Sequence, residues 1–305
     1  MKRVFVINPK AGAGIGRRGL ERLESYFRRR GSSFEAIVSR SREDVIQRTR
    51  EALRAGAEQV VAVGGDGTVN AVANGFFESG ELVRPGACLA VAQAGSGSDY
   101  FRGLTKTARH DWRDIVLCPV VRPVDVARVE TAAAAKVKPL YFLNMATFGM
   151  SAEVVRRKAS MSPLWPKSLR YLLPTVRGLF HARESRVRLT IDGQLLERDA
   201  FCIMVAKGTY SGGGMRFGSH VALDDGRFEV TLFRPMAVWK MLVKTPKLYS
   251  GELHNEPTIE KFTGCRIEIA ADPPLLAEVD GDVIGDAAVS MTVLPQRIPV
   301  CFPNV

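Results

Sequence analysis

The sequence has few cysteines and histidines and no apolar run of the length that a membrane-spanning helix needs. Its five cysteines are scattered, odd in number and without a CxxC motif or a Cys/His cluster, so neither a disulfide framework nor a zinc site is expected. The first residues enter a predicted strand at once and lack the apolar region of a signal peptide. We therefore expect a cytoplasmic protein in a reducing compartment.

Acidic residues are also in short supply. The chain has 43 lysines and arginines against 32 aspartates and glutamates, which gives a formal net charge of +11. Such a charge favours an anionic partner, which is nucleic acid, anionic lipid or a phosphorylated substrate. Because the sequence contains no recognisable nucleic-acid-binding module, nucleic acid is not the expected partner.

The basic residues are concentrated between positions 156 and 188. A single acid, Glu184, accompanies nine lysines and arginines there, interleaved with leucines and a tryptophan. Two interpretations stay open. Basic residues beside Trp and Leu suit the interface of an anionic membrane, to which this segment would bind peripherally. The same pattern also suits a solvated helix whose apolar stripe packs on the rest of the protein.

Predicted strands and helices alternate in the first part of the chain. Strands are predicted at 4–7, 34–38, 60–63 and 89–92, with amphipathic helices at 19–30 and 42–55. This alternation predicts an α/β domain with a parallel sheet, whose ligands bind beyond the carboxyl ends of the strands. Three glycine-bearing turns, 8–16, 64–68 and 95–99, follow such strand ends and could converge on one crevice.

After residues 119–123 the pattern changes to strands without long intervening helices. The predicted strands are 125–130, 140–146, 186–191, 201–206, 227–233, 265–270, 276–279 and 288–294. This is typical of an antiparallel sheet or β-sandwich. We therefore predict a first domain at 1–122 and a second at 123–305, with a last strand, 298–302, that can pair with either.

The turn at 64–70, GGDGTVN, is the most informative segment. Glycines between a strand and a helix leave backbone N–H groups bare at a helix N-terminus, where phosphate is favoured. Asp66 is unusual in a simple phosphate loop but is expected if Mg²⁺ lies between the protein and a nucleotide. The alternative is a tight connection whose glycines serve only the backbone. The missing Gly-Lys-Ser/Thr ending excludes an ordinary Walker A loop.

Taken together, the motifs resemble the diacylglycerol kinase catalytic-domain family, which includes bacterial lipid kinases, sphingosine kinases and ceramide kinases. The resemblance covers nearly the whole chain and rests on NPKAG at 8–12, GGDGTVN at 64–70, GSGSDYF at 95–101, NMATFG at 144–149, DDGRF at 224–228 and EVDGD at 278–282. It implies an α/β nucleotide-binding domain, a C-terminal antiparallel β-sandwich and an active site in the cleft between them. NAD kinases share GGDGT, but the closing motifs favour the lipid kinases.

The resemblance implies an ATP- and Mg²⁺-dependent kinase that transfers the γ-phosphoryl group of ATP to a lipid hydroxyl. The nucleotide-binding residues it implies are Asn8, Gly12, Ser39, Gly64, Gly65, Asp66, Gly67, Thr68, Asn70 and Ser96. Asn70 could instead cap a helix. Lys10, Lys207 and Arg216 are further candidates for phosphate contacts.

Two magnesium sites follow from the same resemblance. Asp66, Asp99 and Asp125 would hold the catalytic Mg²⁺, partly through waters. A second, structural Mg²⁺ would take the carboxylate of Asp225 and the backbone carbonyls of Ala222 and Arg227. Residues 224–226 also have the composition of a simple turn, and the two interpretations are compatible.

The general base implied by the resemblance is Asp282, with Asp280 as its orienter or substitute. Asp282 stands where the bacterial lipid kinases usually have Glu, and Ser98 stands where they usually have Asn. Asp is one methylene shorter than Glu, so it must lie closer to the substrate or act through a water. Locally, Asp280-Gly281-Asp282 also has the composition of a hairpin turn.

The lipid itself is not encoded in any motif. Two other functions therefore remain open: a kinase of a soluble substrate such as NAD, and an inactive regulator that binds lipid or nucleotide. The oligomeric state is open as well, with a homodimer as one possibility.

Overall fold

The computed structural model describes residues 1–9, 17–93, 99–105, 111–117, 119–131, 139–159, 184–217, 222–237, 240, 243, 247, 249–252, 256–286 and 288–304. The chain divides into two compact units. The first comprises Met1–Val126 and Pro295–Val305, and the second comprises Ala127–Leu294. The final segment therefore groups with the first unit.

The first unit is an α/β unit. Its elements in chain order are β1 (Arg3–Ile7), α1 (Arg17–Arg28), β2 (Glu35–Val38), α2 (Arg42–Arg54), β3 (Gln59–Gly64), α3 (Asp66–Gly75), β4 (Phe77–Glu78), β5 (Glu81–Leu82), β6 (Cys88–Gln93), α4 (Asp99–Thr105), α5 (Trp112–Leu117) and the start of β7 (Val120–Thr131). β1 pairs in parallel with β2 and β3, and β3 pairs in parallel with β6. The predicted parallel sheet is confirmed, and its strands end at one edge.

The core of the first unit forms on both faces of β3, which is buried along its whole length. Phe5 on β1 contacts Phe27 of α1 and Phe34, with ring centroids 5.3 and 4.1 Å apart. A fully buried aromatic ring contributes about 1.5–3 kcal/mol through burial. Ser41 caps α2 by accepting a hydrogen bond from the Asp44 N–H. The ring contacts pack α1 against the sheet, and the cap satisfies an N–H group at the start of α2.

The second unit is a two-sheet antiparallel sandwich. Its elements are β8 (Leu140–Phe142), β9 (Met145–Gly149), α6 (Met150–Ala159), β10 (Ser185–Ile191), β11 (Gln194–Ala200), β12 (Cys202–Ala206), β13 (Tyr210–Ser211), β14 (Met215–Arg216), β15 (Phe228–Phe233), β16 (Ile259–Gly264), β17 (Arg266–Asp272), β18 (Leu276–Val279), β19 (Asp282–Asp286) and β20 (Val289–Phe302), whose last part belongs to the first unit. One sheet has the order β16-β15-β12-β9-β18-β19, and β11, β10 and β17 lie in the other. The predicted β-sandwich is confirmed.

Inward-facing residues of the two sheets form one apolar core. Val187 and Leu189 on β10 are 0% exposed, as are Ile203 and Val205 on β12. Along β10 buried and exposed residues alternate, which is the pattern of a strand with one face in a core. The residues of β9, β12 and β18 that carry candidate functional groups are therefore held by a packed sheet.

The strands of the second unit differ from the predicted ones in several places. The predicted strand 140–146 is two strands, because β8 ends at Phe142 and β9 begins at Met145 in the other sheet. The predicted strands 288–294 and 298–302 are one strand, β20, which continues through Pro295. β11 was not predicted, because it is a mostly exposed edge strand without apolar alternation.

The basic segment 156–188 lies largely outside the described residues. Three of its described arginines are paired: Arg156 and Arg157 both bind Glu153, and Arg186 binds Glu197. Among the helices that the structure describes, none has the length and apolarity needed to cross a bilayer.

Candidate active site

The first two glycine-bearing turns meet at Thr68. β1 and β3 end side by side, and the backbone N–H of Asn8 donates to the carbonyl oxygen of Val63 at 3.1 Å. The side-chain amide of Asn8 donates to Thr68 Oγ1, also at 3.1 Å. Gly64 permits this approach, because a Cβ there would lie 2.3 Å from Thr68 Oγ1. Gly64 is thus required by the geometry of the turn itself.

Asp66 joins the second turn to the third. It is the first residue of α3, and its carboxylate accepts hydrogen bonds from the backbone N–H groups of Asp99 and Tyr100 at 3.2 and 3.0 Å. These N–H groups begin α4, so Asp66 caps a helix that lies 33 residues further along the chain. The described parts of all three turns are therefore in contact at one edge of the sheet.

Gly67 is a glycine that the protein's own packing does not require. It is exposed, and among the described residues outside its own helix a Cβ at this position would meet no atom within 4 Å. Gly65, the residue before α3, is the N-cap and has no side chain to satisfy the first N–H groups of the helix. The beginning of α3 therefore offers bare backbone donors in open space, which suits an anion.

The side chains of two predicted nucleotide-binding residues are buried and form hydrogen bonds within the protein. Ser39 is 3% exposed, and its hydroxyl donates to the carbonyl of Ile7 at 3.0 Å. Asn70 is 1% exposed and accepts from Arg42 and Asn74, so its side chain joins α2 to α3. Asn70 is not the helix cap, which is Gly65. Gly12 and Ser96, together with Lys10, lie outside the described residues.

The predicted three-carboxylate magnesium site does not form. Within the described part of the chain, no group of three Asp, Glu, His or Cys side chains is arranged to hold a metal, and Asp66, Asp99 and Asp125 all belong to that part. Asp99 pairs with Arg102 at 2.8 Å. Asp125 is 1% exposed and accepts from the N–H of Gln296, a residue with a φ of 47°. Asp125 thus supports a left-handed turn of β20.

In the second unit, Asp280 and Gly281 form the two-residue turn between β18 and β19. Both have positive φ, 45° and 97°, as a type I′ hairpin requires. The Asp280 carboxylate accepts from the backbone N–H groups of Leu143 and Met145 at 3.0 and 2.8 Å. Asp280 therefore holds the connection between β8 and β9 in place. Asp282 begins β19 and is half-buried.

Glu278 is a candidate functional residue to which the sequence assigned no role. It is 5% exposed on β18, opposite Thr147 on β9, whose hydroxyl donates to Glu278 Oε2 at 2.7 Å. The N–H of Gly281 donates to its other oxygen. Burial, reinforced by the carboxylates of Asp280 and Asp282, raises its pKa from 4.5 to about 7. The sequence feature that could have identified Glu278 is the alternation of three acids at 278, 280 and 282.

The predicted second magnesium site contains a lysine ammonium instead of a space for a metal. The Asp225 carboxylate and the carbonyls of Ala222 and Arg227 all accept from Lys207 Nζ. Lys207 is 0% exposed, so the prediction that it contacts phosphate is also wrong. Arg216, on β14, is half-buried.

Comparison with known proteins identifies two matching family models. Residues 2–129 match the diacylglycerol kinase catalytic domain, and residues 144–302 match the YegS C-terminal NAD kinase beta sandwich-like domain. The diacylglycerol kinase of Bacillus subtilis is 24% identical over 100% of this chain and 97% of its own length.

Solved structures share the fold. A crystal structure of a diacylglycerol kinase from Bacillus anthracis superposes with a TM-score of 0.72 at 21% identity, covering 99% of this chain and 97% of that one. Yeast NADH kinase in complex with NADH gives a TM-score of 0.55 at 12% identity, covering 100% and 84%.

An α/β unit with this glycine-rich turn, together with a NAD kinase-like sandwich, defines a kinase. The chain belongs to the diacylglycerol kinase catalytic-domain family. A kinase of this family implies ATP as the phosphoryl donor.

Proposed function

We propose that this protein is an ATP- and Mg²⁺-dependent lipid kinase that transfers the γ-phosphoryl group of ATP to a lipid hydroxyl of the diacylglycerol or sphingoid type. The observation that carries the proposal is the open start of α3, where Gly65 and Gly67 leave backbone donors bare beside Asn8 and Thr68. Phosphoryl transfer depends on positioning and on neutralising phosphate charge, for which such a turn is suited. A lipid acceptor is proposed because the Bacillus subtilis relative is named a diacylglycerol kinase.

The donor set fits a catalytic Mg²⁺ that is held mainly by the nucleotide. Mg²⁺ keeps several waters and commonly uses one or two carboxylates plus substrate phosphates, so a closed three-carboxylate site is not required. Asp66 and Asp99 are adjacent through the 3.2 Å hydrogen bond between them and would supply the protein oxygens. When bound, the ion would neutralise charge on the β- and γ-phosphates.

Asp282 is the proposed proton acceptor for the attacking hydroxyl. It begins a strand beside the hairpin, and its side chain is half-buried, so it combines a fixed backbone with access to a ligand. Asp280 is a positioning residue, because its two oxygens hold the N–H groups of Leu143 and Met145.

The test is phosphorylation from radiolabelled ATP over a panel of diacylglycerol, sphingoid base, ceramide and phosphatidylglycerol in mixed micelles. We expect one lipid class to be labelled and Asp282→Asn to abolish labelling while ATP binding is retained. Asp66→Asn should weaken Mg²⁺-dependent nucleotide binding as well. Labelling of NAD but of no lipid would show the soluble-substrate alternative. Binding of ATP without transfer to any acceptor would show the inactive regulator.

The membrane contact is a separate proposal. We propose that the protein is cytoplasmic and binds anionic membranes peripherally through the basic 156–188 segment. The described Arg156, Arg157 and Arg186 are paired with acids, so the unpaired charge of the segment must come from its other basic residues. Reversing Arg170, Arg177 and Arg183 to Glu should abolish salt-sensitive sedimentation with phosphatidylglycerol vesicles. Unchanged sedimentation of this variant would refute the membrane contact and leave the kinase proposal intact. Light scattering of the same samples measures the molar mass of the protein in solution and so tests whether it forms a homodimer.

A further inference from the structure

A lysine ammonium lies at the centre of an oxygen cluster in the second unit. Lys207 follows β12 and is 0% exposed. Its Nζ donates to the carbonyl oxygens of Ala222 and Arg227, each at 2.9 Å, and to Asp225 Oδ1 at 2.6 Å. These lengths are those of charge-assisted hydrogen bonds.

The loop from 222 to 227 is shaped to present these oxygens to one point. The Asp225 carboxylate accepts from the N–H groups of Ala222 and Arg227, both at 3.1 Å, which folds the loop around the acid. Burial raises the pKa of Asp225, but the hydrogen bonds from Lys207 and from the two N–H groups outweigh it and hold the pKa below its ordinary value. The loop thus offers one ionised carboxylate and two carbonyls, a set of oxygens that also suits Mg²⁺ or Ca²⁺.

A divalent ion does not fit this cluster while Lys207 is in place. Mg²⁺ lies about 2.0–2.1 Å from its oxygen ligands and Ca²⁺ about 2.3–2.6 Å. An ion at such distances from all three oxygens would overlap Nζ, which lies 2.6–2.9 Å from the same atoms. The charges are also incompatible, because a divalent ion and the buried ammonium would lie side by side and share a single, partly exposed carboxylate.

We propose that the Lys207 ammonium is a built-in cation that replaces a structural divalent metal in the second unit. The loop 222–227 is then folded without any metal. Truncating the lysine side chain would convert the same oxygens into a binding site for Mg²⁺ or Ca²⁺. This inference does not depend on which acceptor the kinase phosphorylates.

The position of Lys207 connects this cation with the candidate active site. The backbone N–H groups of Lys207 and Gly208 donate to the carbonyl of Asn144 at 2.8 and 2.7 Å. Asn144 lies between the two residues whose N–H groups Asp280 holds. A cation at the end of β12 therefore stabilises the backbone against which the acidic hairpin is fixed.

The first experiment uses the wild-type full chain without nucleotide. Its thermal unfolding is compared in excess EDTA, in millimolar MgCl₂ or CaCl₂, and in KCl of equal ionic strength. We expect the same Tm in all of them. Mn²⁺ should also leave the NMR signals of residues 222–227 without paramagnetic broadening. Broadening there, or a saturable rise in Tm that Asp225→Asn removes, would overturn the proposal.

The second experiment compares Lys207→Ala with Lys207→Met. Both leave Asp225 without its buried cation, so Tm should fall by about 10 °C in EDTA. In Lys207→Ala the vacated space admits an ion, and Mg²⁺ or Ca²⁺ should restore most of the lost Tm in a saturable way. In Lys207→Met the apolar side chain fills the space, so the same ions should restore little.

The double variant Lys207→Ala/Asp225→Asn is the matched control, because it removes the carboxylate that an ion needs. Its Tm should not respond to divalent ions. A Lys207→Ala protein that responds no more than this control would overturn the proposal. If Lys207→Ala does not fold in EDTA, its refolding is compared in CaCl₂ and in KCl. Refolding in CaCl₂ but not in KCl supports the proposal. Failure to refold in both salts, or broadening of the wild-type signals by Mn²⁺, overturns the proposal.

Discussion

Glu278 is expected to make the stability of the second unit depend on pH near neutrality. Its carboxyl is 5% exposed on β18 and its pKa is about 7 instead of 4.5, chiefly because burial disfavours the charged form. A pKa difference of about 2.5 pH units corresponds to about 3 kcal/mol between the two protonation states. The side chain is almost fully buried, so solvent screening does not reduce this figure much.

The sign follows from proton linkage. The folded-state pKa is raised above the unfolded value, so the folded protein holds the proton more tightly. The resulting stabilisation is fully present below about pH 4.5 and is lost as pH rises through about 7. Above that pH the folded protein contains a buried carboxylate, held by Thr147 and the Gly281 N–H.

The assay is urea unfolding of wild type and Glu278→Gln from pH 5 to 8, followed by circular dichroism. Gln is neutral at every pH and can still bond Thr147, because a hydroxyl can donate or accept. Relative to this variant, wild type should lose about 2–3 kcal/mol of unfolding free energy over the range. Glu35→Gln, at an exposed position of β2, is the control and should show no such trend. A carboxyl carbon titration by NMR should give a midpoint near 7 that disappears in Glu278→Gln. A difference between wild type and variant that is constant with pH would refute the reasoning.

The remaining predictions concern the glycine-rich turn and the acidic hairpin. Gly64→Ala should lower stability by about 1–3 kcal/mol and weaken ATP binding, because its Cβ would lie 2.3 Å from Thr68 Oγ1. Gly67→Ala should keep or raise Tm, since its Cβ would meet no described atom outside its own helix, yet weaken ATP binding in calorimetry. Unchanged affinity would exclude a ligand at this backbone. Asp280→Asn should lower both Tm and kcat, whereas Asp282→Asn should lower kcat with a smaller loss of Tm. Equal Tm losses in these two variants would contradict the division between positioning residue and proton acceptor.

Local signals explain what the sequence predicts well. β3 is a continuous apolar run followed by GGDGT, and the strand lies where that pattern places it. A helix follows as expected, but it begins at Asp66, inside the segment predicted as a turn. Asp280-Gly281 contains the residue types that a two-residue hairpin needs, and it forms one. The resemblance carried by these short segments also gives the family correctly.

Non-local contacts explain what the sequence does not predict. The partner of Asp66 is a helix start 33 residues away, and the partner of Glu278 is Thr147, 131 residues away. No local pattern distinguishes a carboxylate that binds a ligand from one that caps a helix or holds a hairpin. Asp125 and Asp280 were both predicted as functional groups. Their carboxylates hold backbone N–H groups of residues far away in the sequence, Gln296 for Asp125 and Leu143 and Met145 for Asp280.

The alternation of strands and helices in the first unit, the glycine-rich turn and the family were predicted from the sequence alone, because each depends on residues that are neighbours along the chain. Which cation lies beside Asp225 was decided only by the tertiary structure. The pairing of β12 with β15 brings Lys207 to the loop 222–227. There the buried ammonium donates a hydrogen bond to the Asp225 carboxylate and balances its charge. A sequence shows that acids are present, but only the fold shows which positive charge each of them meets.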